Sequence, residues 1–374
     1  MKSSVCFLII LHFTIGSKYE VYDAQNCGIP QSINSARKSV KVRHKGDKSA
    51  KLNEDDNDFM EEKIMGGRRA EKGELPWAVL LRIKATGLCG GTLVSRRHVI
   101  TAAHCFWNSS SHQEQGNCSE ADMYPMGVVL NSTEVFVGGT CSSAGRFGCT
   151  SSDIGKVYKV ARASYRTYYE LGCKGTRDIA ILQLTEDVPK TINHVCLPFM
   201  HKLREIKDPY LKLRTFGWGR DPLNHFKRRS PFLQIAELGT RLPKSVCSIF
   251  DIKGTFCVKS GQQQFCDGDS GGGVTATISG RNYLMGVVSE GPDCDKVAKE
   301  GSEEPQVCTD IMYYKKYIQK WIGANGARSG IKPAKSPSTQ TIMVNSPARI
   351  HSQNENNGKK DGLTREPFCP DLRT

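Results

Sequence analysis

Two features of metal and membrane proteins are missing from this sequence of 374 residues. None of its 15 cysteines stands in a Cys-x-x-Cys pair, so zinc or thiol redox chemistry has little support, and we expect no metal and no cofactor. After residue 17, no stretch approaches the roughly 20 apolar residues of a membrane-spanning helix. No internal repeat is present either. Membrane and repeat proteins are therefore excluded.

The basic excess lacks the pattern of a nucleic-acid-binding protein. The net charge is +14, with seven basic residues and one acid in residues 37–51, but six acids and no base in residues 54–62. No aromatic residues interleave the basic ones, and no known nucleic-acid module is present. Solvated surface is the simpler explanation, and we expect no nucleic-acid partner. Heparin binding through the basic segments would be an additional property.

The first 17 residues have the pattern of a secretory signal peptide. Lys2 precedes an apolar run over residues 5–11, and the segment ends on the small residues Gly16 and Ser17. Removing Cys6 with this signal leaves fourteen cysteines, an even number that can all pair in an oxidising compartment. The sequence therefore predicts a secreted, extracellular protein.

Three zones of different composition follow the signal peptide. Residues 18–63 are polar and predict a largely unstructured propeptide. Residues 64–323 contain short alternating apolar runs separated by turns, which favours an all-β barrel or sandwich. Within them, residues 106–125 predict a long surface loop, and apolar residues at helical spacing predict a helix over residues 313–322. Residues 324–374 are rich in Ser, Asn, Lys and Pro, which predicts a disordered basic tail.

Three segments offer the groups needed to attack an amide bond. Such chemistry needs a serine nucleophile, a histidine base, a carboxylate that orients it, and backbone N–H donors for the oxyanion. The segments are, in chain order, TAAHC at residues 101–105, DIAIL at 178–182 and GDSGG at 268–272. Taken singly, the histidine could be a core residue and the glycines a turn, but the combination favours a catalytic site.

Together these motifs resemble the chymotrypsin family of serine proteases. IMGG at residues 64–67 is similar to the family's IVGG start, and Pro76-Trp77 and residues 217–219 (GWG) also match. The resemblance covers residues 64–323 and implies two six-stranded antiparallel β-barrels with a C-terminal α-helix. It also implies a serine endopeptidase whose partners are protein or peptide substrates and, further, protease inhibitors.

The resemblance also assigns catalytic roles. Ser270 would be the nucleophile, His104 the general base, and Asp178 the group that orients the imidazole. Gly268 and Ser270 would donate the backbone N–H groups of the oxyanion hole, and Ser289 matches the serine that supports the buried aspartate. The rival interpretation is a binding protein on a protease scaffold, which an active-site phosphonate probe would distinguish.

Activation by cleavage follows from the same resemblance. The cut would fall between Lys63 and Ile64, and the new ammonium of Ile64 would pair with Asp269 beside the nucleophile. Cleavage after a lysine implies an activating protease with basic specificity. The acidic run at residues 54–62 resembles an activation peptide, although a solvated linker has the same composition.

Four disulfides are implied by the resemblance, one of which would hold the propeptide on the protease after cleavage. Six cysteines have no family partner, and their fifteen connectivities stay open. The implied pairs are Cys89–Cys105, Cys266–Cys294, Cys247–Cys257 and Cys27–Cys196; the unassigned cysteines are Cys118, Cys141, Cys149, Cys173, Cys308 and Cys369.

The specificity pocket departs from the family pattern. Gln264 occupies the floor position, with bulky Phe265 beside it. Gly291 matches one wall glycine, whereas Gln306 replaces the other, and Ser289 lines the substrate strand. A neutral floor would leave a Lys or Arg side chain without a partner, so we expect a preference for small or uncharged polar residues before the scissile bond.

The first half of the domain is longer than the family's. His104 and Asp178 lie 74 residues apart, and the extra length falls in residues 106–125 and 139–152. These loops could restrict substrates at the cleft rim or be tolerated surface insertions. Asn108, Asn117 and Asn131 stand in Asn-x-Ser/Thr triplets and are candidate glycosylation sites.

Overall fold

The computed structural model describes most of the region between residues 22 and 323. The described residues are 22–31, 65–84, 86–108, 120–145, 147–166, 168, 177–222, 229–247, 253–261, 263–302 and 304–323. The predicted signal peptide, Lys63, Ile64, Asn117, Cys118, Cys173 and the C-terminal tail with Cys369 lie outside the described residues. Within this part of the chain, no helix has both the length and the apolar character needed to cross a membrane.

Six antiparallel strands close into a barrel in the first half of the domain. The order around the barrel is β2-β3-β4-β7-β6-β5, so β2 and β5 close it. β2 is almost wholly buried, whereas β6 alternates in part and turns Tyr158, Val160 and Ala163 inward. The bounds are β2 Ala78–Ile83, β3 Gly87–Ser95, β4 His98–Thr101, β5 Thr133–Val137, β6 Lys156–Ser164 and β7 Ala180–Leu184.

The second half forms a seven-stranded antiparallel sheet. Its order is β1-β9-β8-β11-β12-β13-β10, and a bridge between Arg241 and Val258 joins the chain after β9 to β10. The prediction of an all-β fold is confirmed, but the second sheet has seven strands because Arg68 and Arg69 form a short strand beside β9. The strands are β1 Arg68–Arg69, β8 Leu213–Gly217, β9 Gln234–Gly239, β10 Thr255–Val258, β11 Gly273–Ile278, β12 Arg281–Glu290 and β13 Gln306–Asp310.

Helices are few and short. They are α1 (Met126–Ser132), α2 (Lys244–Cys247), α3 (Cys294–Glu300) and α4 (Lys315–Ile322). The helix expected from the spacing of residues 313–322 is α4, which begins after Tyr314 and buries Ile318 and Ile322 in the core of the first barrel. Short 3-10 turns cover Ala103–Phe106, Glu120–Asp122, Ser151–Asp153, Pro198–Met200 and Glu205–Lys207.

The expected surface loop over residues 106–125 is buried at both ends. Phe106 is fully buried, Met123 is 2% exposed, and a bridge pairs Trp107 with Met123. The prediction of a surface loop is therefore wrong for these ends. The polar residues in the middle dominate the composition of the segment, whereas apolar residues at its two ends pack against the barrel. Residues 109–119 lie outside the described part.

Residues 22–31 of the expected propeptide are packed against the second half of the domain. The Tyr22 hydroxyl accepts a hydrogen bond from the Leu197 amide, and the Asp23 amide donates one to His194. Gly28 has a φ of +68°, and a Cβ there would collide with the backbone of Asn282. The expectation of a largely unstructured propeptide is therefore wrong for this segment.

Five disulfides connect described cysteines. Four are the pairs that the resemblance implied: Cys27–Cys196, Cys89–Cys105, Cys247–Cys257 and Cys266–Cys294. The fifth joins Cys141 to Cys149, which the sequence left open. Cys308 is a buried free thiol on β13, so the expectation that all fourteen mature cysteines can pair is not met.

Candidate active site

Asp178 lies fully buried just before β7, and its main chain is held on both sides. The Thr309 hydroxyl donates to the Asp178 carbonyl oxygen at 2.8 Å, and the Arg177 amide donates to the Tyr314 hydroxyl at 2.9 Å. Thr309 belongs to β13 in the second sheet, so the carboxylate is positioned from both halves of the domain. No sequence motif pointed to Thr309.

His104 lies on the 3-10 turn Ala103–Phe106 and contacts Asp178 twice. Its Nδ1 is 2.7 Å from Asp178 Oδ2, and its backbone N–H donates to Oδ1 at 2.9 Å. The His104 side chain is 22% exposed, against 1% for Asp178, so the ring bridges a buried carboxylate and the cleft. The carboxylate fixes both the tautomer and the orientation of the ring.

The electrostatics of the pair favour opposite charges. Burial raises the pKa of Asp178, but the attraction of His104 and the hydrogen bonds from His104 and the Ser289 hydroxyl outweigh it and lower the pKa overall. Burial likewise lowers the pKa of His104, but the charge and hydrogen bond of Asp178 raise it overall. An imidazolium formed by taking a proton is therefore stabilised.

Ser270 lies in a glycine-rich turn packed against the His104 segment. The Ser270 carbonyl accepts a hydrogen bond from the Gly90 amide at 2.8 Å. A Cβ on Gly271 would collide with Thr101 and Ala102, which immediately precede the histidine turn. Gly268 has a φ of +97°, a conformation that favours glycine and lets the backbone of residues 268–270 form the tight turn.

Asp269 is a buried carboxylate whose bonding partners are backbone amides. Its oxygens accept from Gly219 N–H at 2.8 Å and Cys266 N–H at 3.0 Å. Burial raises the pKa of Asp269 to about 7, an effect that these two hydrogen bonds only partly offset. Met65 lies nearby and is 3% exposed, in contact with Cys266. The Met65 carbonyl accepts a hydrogen bond from the backbone N–H of Gln264 at 3.3 Å.

The two glutamines that the sequence assigns to the pocket have different surroundings. Gln264 is fully buried, and its side-chain amide contacts Gly261 N–H and Cys294 Sγ, at 3.4 and 3.7 Å. Gln306 is also fully buried and donates its Nε2 to the Phe265 carbonyl at 3.0 Å, but its Oε1 has no hydrogen-bond partner among the described residues. An unsatisfied buried acceptor of this kind costs about 1–3 kcal/mol.

Gly291 completes the wall beside these side chains. A Cβ on Gly291 would lie 3.3 Å from Gln306 Nε2 and 3.5 Å from the Phe265 ring, so the wall glycine faces two bulky residues. Ser289 directs its hydroxyl to Asp178 rather than into the pocket. Both polar atoms of the Gln264 side chain have contacts, whereas Gln306 Oε1 is a buried acceptor without a hydrogen-bond partner among the described residues.

The three candidate glycosylation sites differ in their surroundings. Asn131 is exposed on α1. Asn108 is half-buried, and its Oδ1 accepts a hydrogen bond from the Tyr124 hydroxyl at 3.2 Å. Asn117 lies outside the described residues.

Comparison with known proteins identifies similar sequences across the domain. The family model described as Trypsin matches residues 64–318. Trypsin-like protease try-5 of Caenorhabditis elegans is 30% identical over 275 residues, covering 66% of this chain and 83% of the relative. CLIP domain-containing serine protease B14 of Anopheles gambiae is 26% identical, covering 69% and 72% respectively. Coagulation factor IX of Oryctolagus cuniculus is 28% identical, covering 67% and 82%.

Proposed function

Since the chain belongs to the trypsin family and is a serine endopeptidase, we propose that it cuts peptide bonds with Ser270, His104 and Asp178 after activation behind Lys63. The observation that carries this assignment is the double contact of His104 with the buried carboxylate of Asp178. The rival function, a binding protein on a protease scaffold, would not need this arrangement.

The chemistry proceeds through an acyl-enzyme. His104 takes the proton of the Ser270 hydroxyl as the oxygen attacks the scissile carbonyl, and Asp178 stabilises the resulting imidazolium. The backbone N–H groups of Gly268 and Ser270 stabilise the oxyanion. His104 then protonates the leaving amine, and water releases the acyl group by the reverse sequence. No metal or cofactor takes part in this scheme.

Replacing the nucleophile tests the assignment. Ser270→Ala in the cleaved protein is expected to lower kcat by on the order of 10⁶, because the triad acts as a unit. Ser151→Ala, an exposed serine on a 3-10 turn, is the matched control and should retain activity. Undiminished hydrolysis by pure Ser270→Ala protein would contradict the assignment.

Activation is proposed to act through Asp269. Cleavage between Lys63 and Ile64 would create an ammonium one residue before Met65, which is already buried beside the residues of the Asp269 turn. Asp269 is buried without a bonded cation among the described residues. A new ammonium there would form a buried ion pair and order the turn of residues 267–270, called the oxyanion turn below. The activating protease must accept lysine.

The propeptide is proposed to remain attached after that cut. Cys27 is bonded to Cys196 and fully buried, and the Gly28 carbonyl accepts a hydrogen bond from the Asn282 amide. Protein cleaved after Lys63 should therefore run as one species on a non-reducing gel and as two under reducing conditions. Separation of the fragments without reductant would contradict this arrangement.

The residue before the scissile bond is proposed to be an uncharged hydrogen-bond donor, such as an asparagine or glutamine. Gln306 Oε1, which has no hydrogen-bond partner among the described residues, would accept from such a side chain, whereas a Lys or Arg would lose water without gaining a carboxylate. The enzyme should therefore not activate itself at Lys63. Efficient cleavage of the precursor by a trace of active enzyme would contradict this preference.

Secretion and glycosylation complete the proposal. The five disulfides indicate folding in an oxidising compartment, and the predicted signal peptide would direct the protein there. Of the two described acceptors, Asn131 is the more exposed, and enzymatic deglycosylation of secreted protein, followed by mass spectrometry, tests whether it carries a glycan.

A further inference from the structure

Two arginines face one another across an isolated bridge beside the oxyanion turn. Arg220 and Arg229 form this antiparallel bridge, and the Arg220 amide donates to the carbonyl of Asp267 in the turn itself. The Arg220 guanidinium is neutralised, because it contacts the carboxylates of Asp267 at 3.1 Å and Asp295 at 2.8 Å. Arg229 is exposed, and no carboxylate among the described residues forms an ion pair with it.

The side chain of Arg229 lies over the oxyanion turn. A Cβ built on Gly268 would come within 2.8 Å of Arg229 Nε and 3.2 Å of its Cδ. A Cβ on Gly87 would lie 3.6 Å from the Nη1 atom of the same guanidinium. The cation therefore spans the space between the turn and the first residue of β3.

This position is on the leaving-group side of the site. The acyl half of a substrate would direct its side chain among Phe265, Gly291 and Gln306, which contact one another, whereas the glycines nearest to Arg229 are Gly268 and Gly87. The other half must depart past the opposite side of the turn, where Gly87 begins the strand that continues to the Cys89–Cys105 disulfide. The guanidinium would therefore meet the substrate just beyond the scissile bond.

The chemistry of this group defines what it would recognise. A guanidinium offers planar, paired donors that match a carboxylate. No described carboxylate forms an ion pair with Arg229, although its charge attracts the buried Asp269. Because Arg229 is exposed, solvent and salt weaken the attraction, so the effect is a preference rather than an absolute requirement.

We propose that Arg229 selects substrates with an acidic residue at the first or second position after the scissile bond. This inference rests on the proposed function, because it places the substrate by the assigned positions of Ser270 and the pocket. Arg229 acts here on specificity and not on bond cleavage itself.

Matched peptide pairs test the proposal. In each pair, one peptide carries Asp or Glu after the scissile bond and the other carries Asn or Gln at the same position. We expect cleaved wild-type enzyme to favour the acidic peptide by about 2- to 5-fold in kcat/KM, the size of an exposed ion pair. The ratio should fall towards one in about 1 M salt, and also in Arg229→Gln. Arg229→Lys should keep part of it.

The controls separate charge recognition from general effects. Lys207→Gln removes the same charge from an exposed 3-10 turn outside the site, and it should keep the wild-type ratio. A merely structural role for Arg229 would alter turnover of both peptides equally and leave their ratio unchanged. A wild-type ratio of one, or a preference that persists in Arg229→Gln, would overturn the proposal.

A binding measurement distinguishes this proposal from the proposed function. The Ser270→Ala protein should bind the acidic peptide of each pair more tightly, measured by fluorescence anisotropy, and Ser270→Ala/Arg229→Gln should lose the difference. If that difference appears while wild-type protein hydrolyses nothing, the proposed function fails and the role of Arg229 stands. If the binding difference is absent, the proposal is overturned whether or not the enzyme cuts.

Discussion

Replacing Asp269 in the uncleaved protein tests whether this carboxylate is buried without a compensating cation. Burial raises the pKa of Asp269 from 3.8 to about 7 in the folded chain. The unfolded chain releases the proton near its usual pKa, so between those values the folded state binds more protons than the unfolded state. The stability contributed by this group is therefore fully present at low pH and is lost as pH rises towards 7.

The magnitude follows from that interval. At about 1.4 kcal/mol per pH unit, the change from 3.8 to about 7 corresponds to about 4 kcal/mol of lost unfolding free energy, as an upper value. The Asp269→Asn protein has no ionisable group at this position, so it loses none of this unfolding free energy. We therefore expect the wild-type protein to become less stable relative to Asp269→Asn by up to about 4 kcal/mol between about pH 4 and pH 8.

Urea unfolding at several pH values, followed by tryptophan fluorescence with the disulfides intact, measures this difference. All other titrating groups are the same in the wild-type and Asp269→Asn proteins. Any effect of the asparagine on stability that does not depend on pH cancels when the difference in unfolding free energy is compared between pH values. After cleavage behind Lys63 the sign should reverse, because an ammonium at Ile64 would favour the ionised carboxylate. A flat difference across pH in the uncleaved protein would refute the reasoning.

Three further outcomes are expected of the cleaved enzyme. Its kcat/KM should rise with pH through a pKa above 6.5, because catalysis needs neutral His104 and Asp178 raises the pKa of that ring; a profile that is flat between about pH 5 and 9 would contradict the base assignment. Ser289→Ala should lower kcat about tenfold, since it removes one charge-assisted hydrogen bond from Asp178; an unchanged kcat would exclude that support. Gln306→Glu should shift the preference towards Lys and Arg by tenfold or more, as a buried carboxylate replaces a neutral acceptor; no gain for basic peptides would show that Gln306 does not face the substrate.

Periodicity and motif order predicted the framework of the fold from the sequence. The apolar runs at residues 78–83, 179–184 and 284–288 fall in or overlap β2, β7 and β12, because buried strands must present side chains at that spacing. The segments carrying His104 and Asp178 are adjacent in the structure although they lie 74 residues apart. Long-range adjacency of this kind is not visible in periodicity and came only from the resemblance.

The sequence-based predictions were wrong or incomplete where contacts between distant parts of the chain determine the structure. Residues 22–31 look polar, yet the Cys27–Cys196 disulfide and the close fit of Gly28 against Asn282 hold them in place. The pairing of Cys141 with Cys149 was one of many connectivities and needed coordinates to choose it. Cys308 is a buried free thiol on β13, although its strand pairs with the strand that carries the disulfide-bonded Cys257.

The pocket was predicted only in part for a related reason. The sequence placed Gln264 and Gln306 in the same region, but it could not show the direction of either amide. Gln264 contacts Gly261 and Cys294, so its polar atoms are used within the protein. Gln306 Oε1 is buried and has no hydrogen-bond partner among the described residues, which is why we propose Gln306 rather than Gln264 as the substrate contact. Side-chain direction depends on neighbours that are distant in the chain.

We propose that Ser270 is an activated nucleophile only after cleavage behind Lys63. A fluorophosphonate probe applied to intact and cleaved protein, with the modified peptide identified by mass spectrometry, measures this directly. We expect one adduct per molecule on Ser270 in the cleaved protein and slow or no labelling of the intact chain. Folded, cleaved protein that remains unlabelled, or an adduct on another residue, would contradict it.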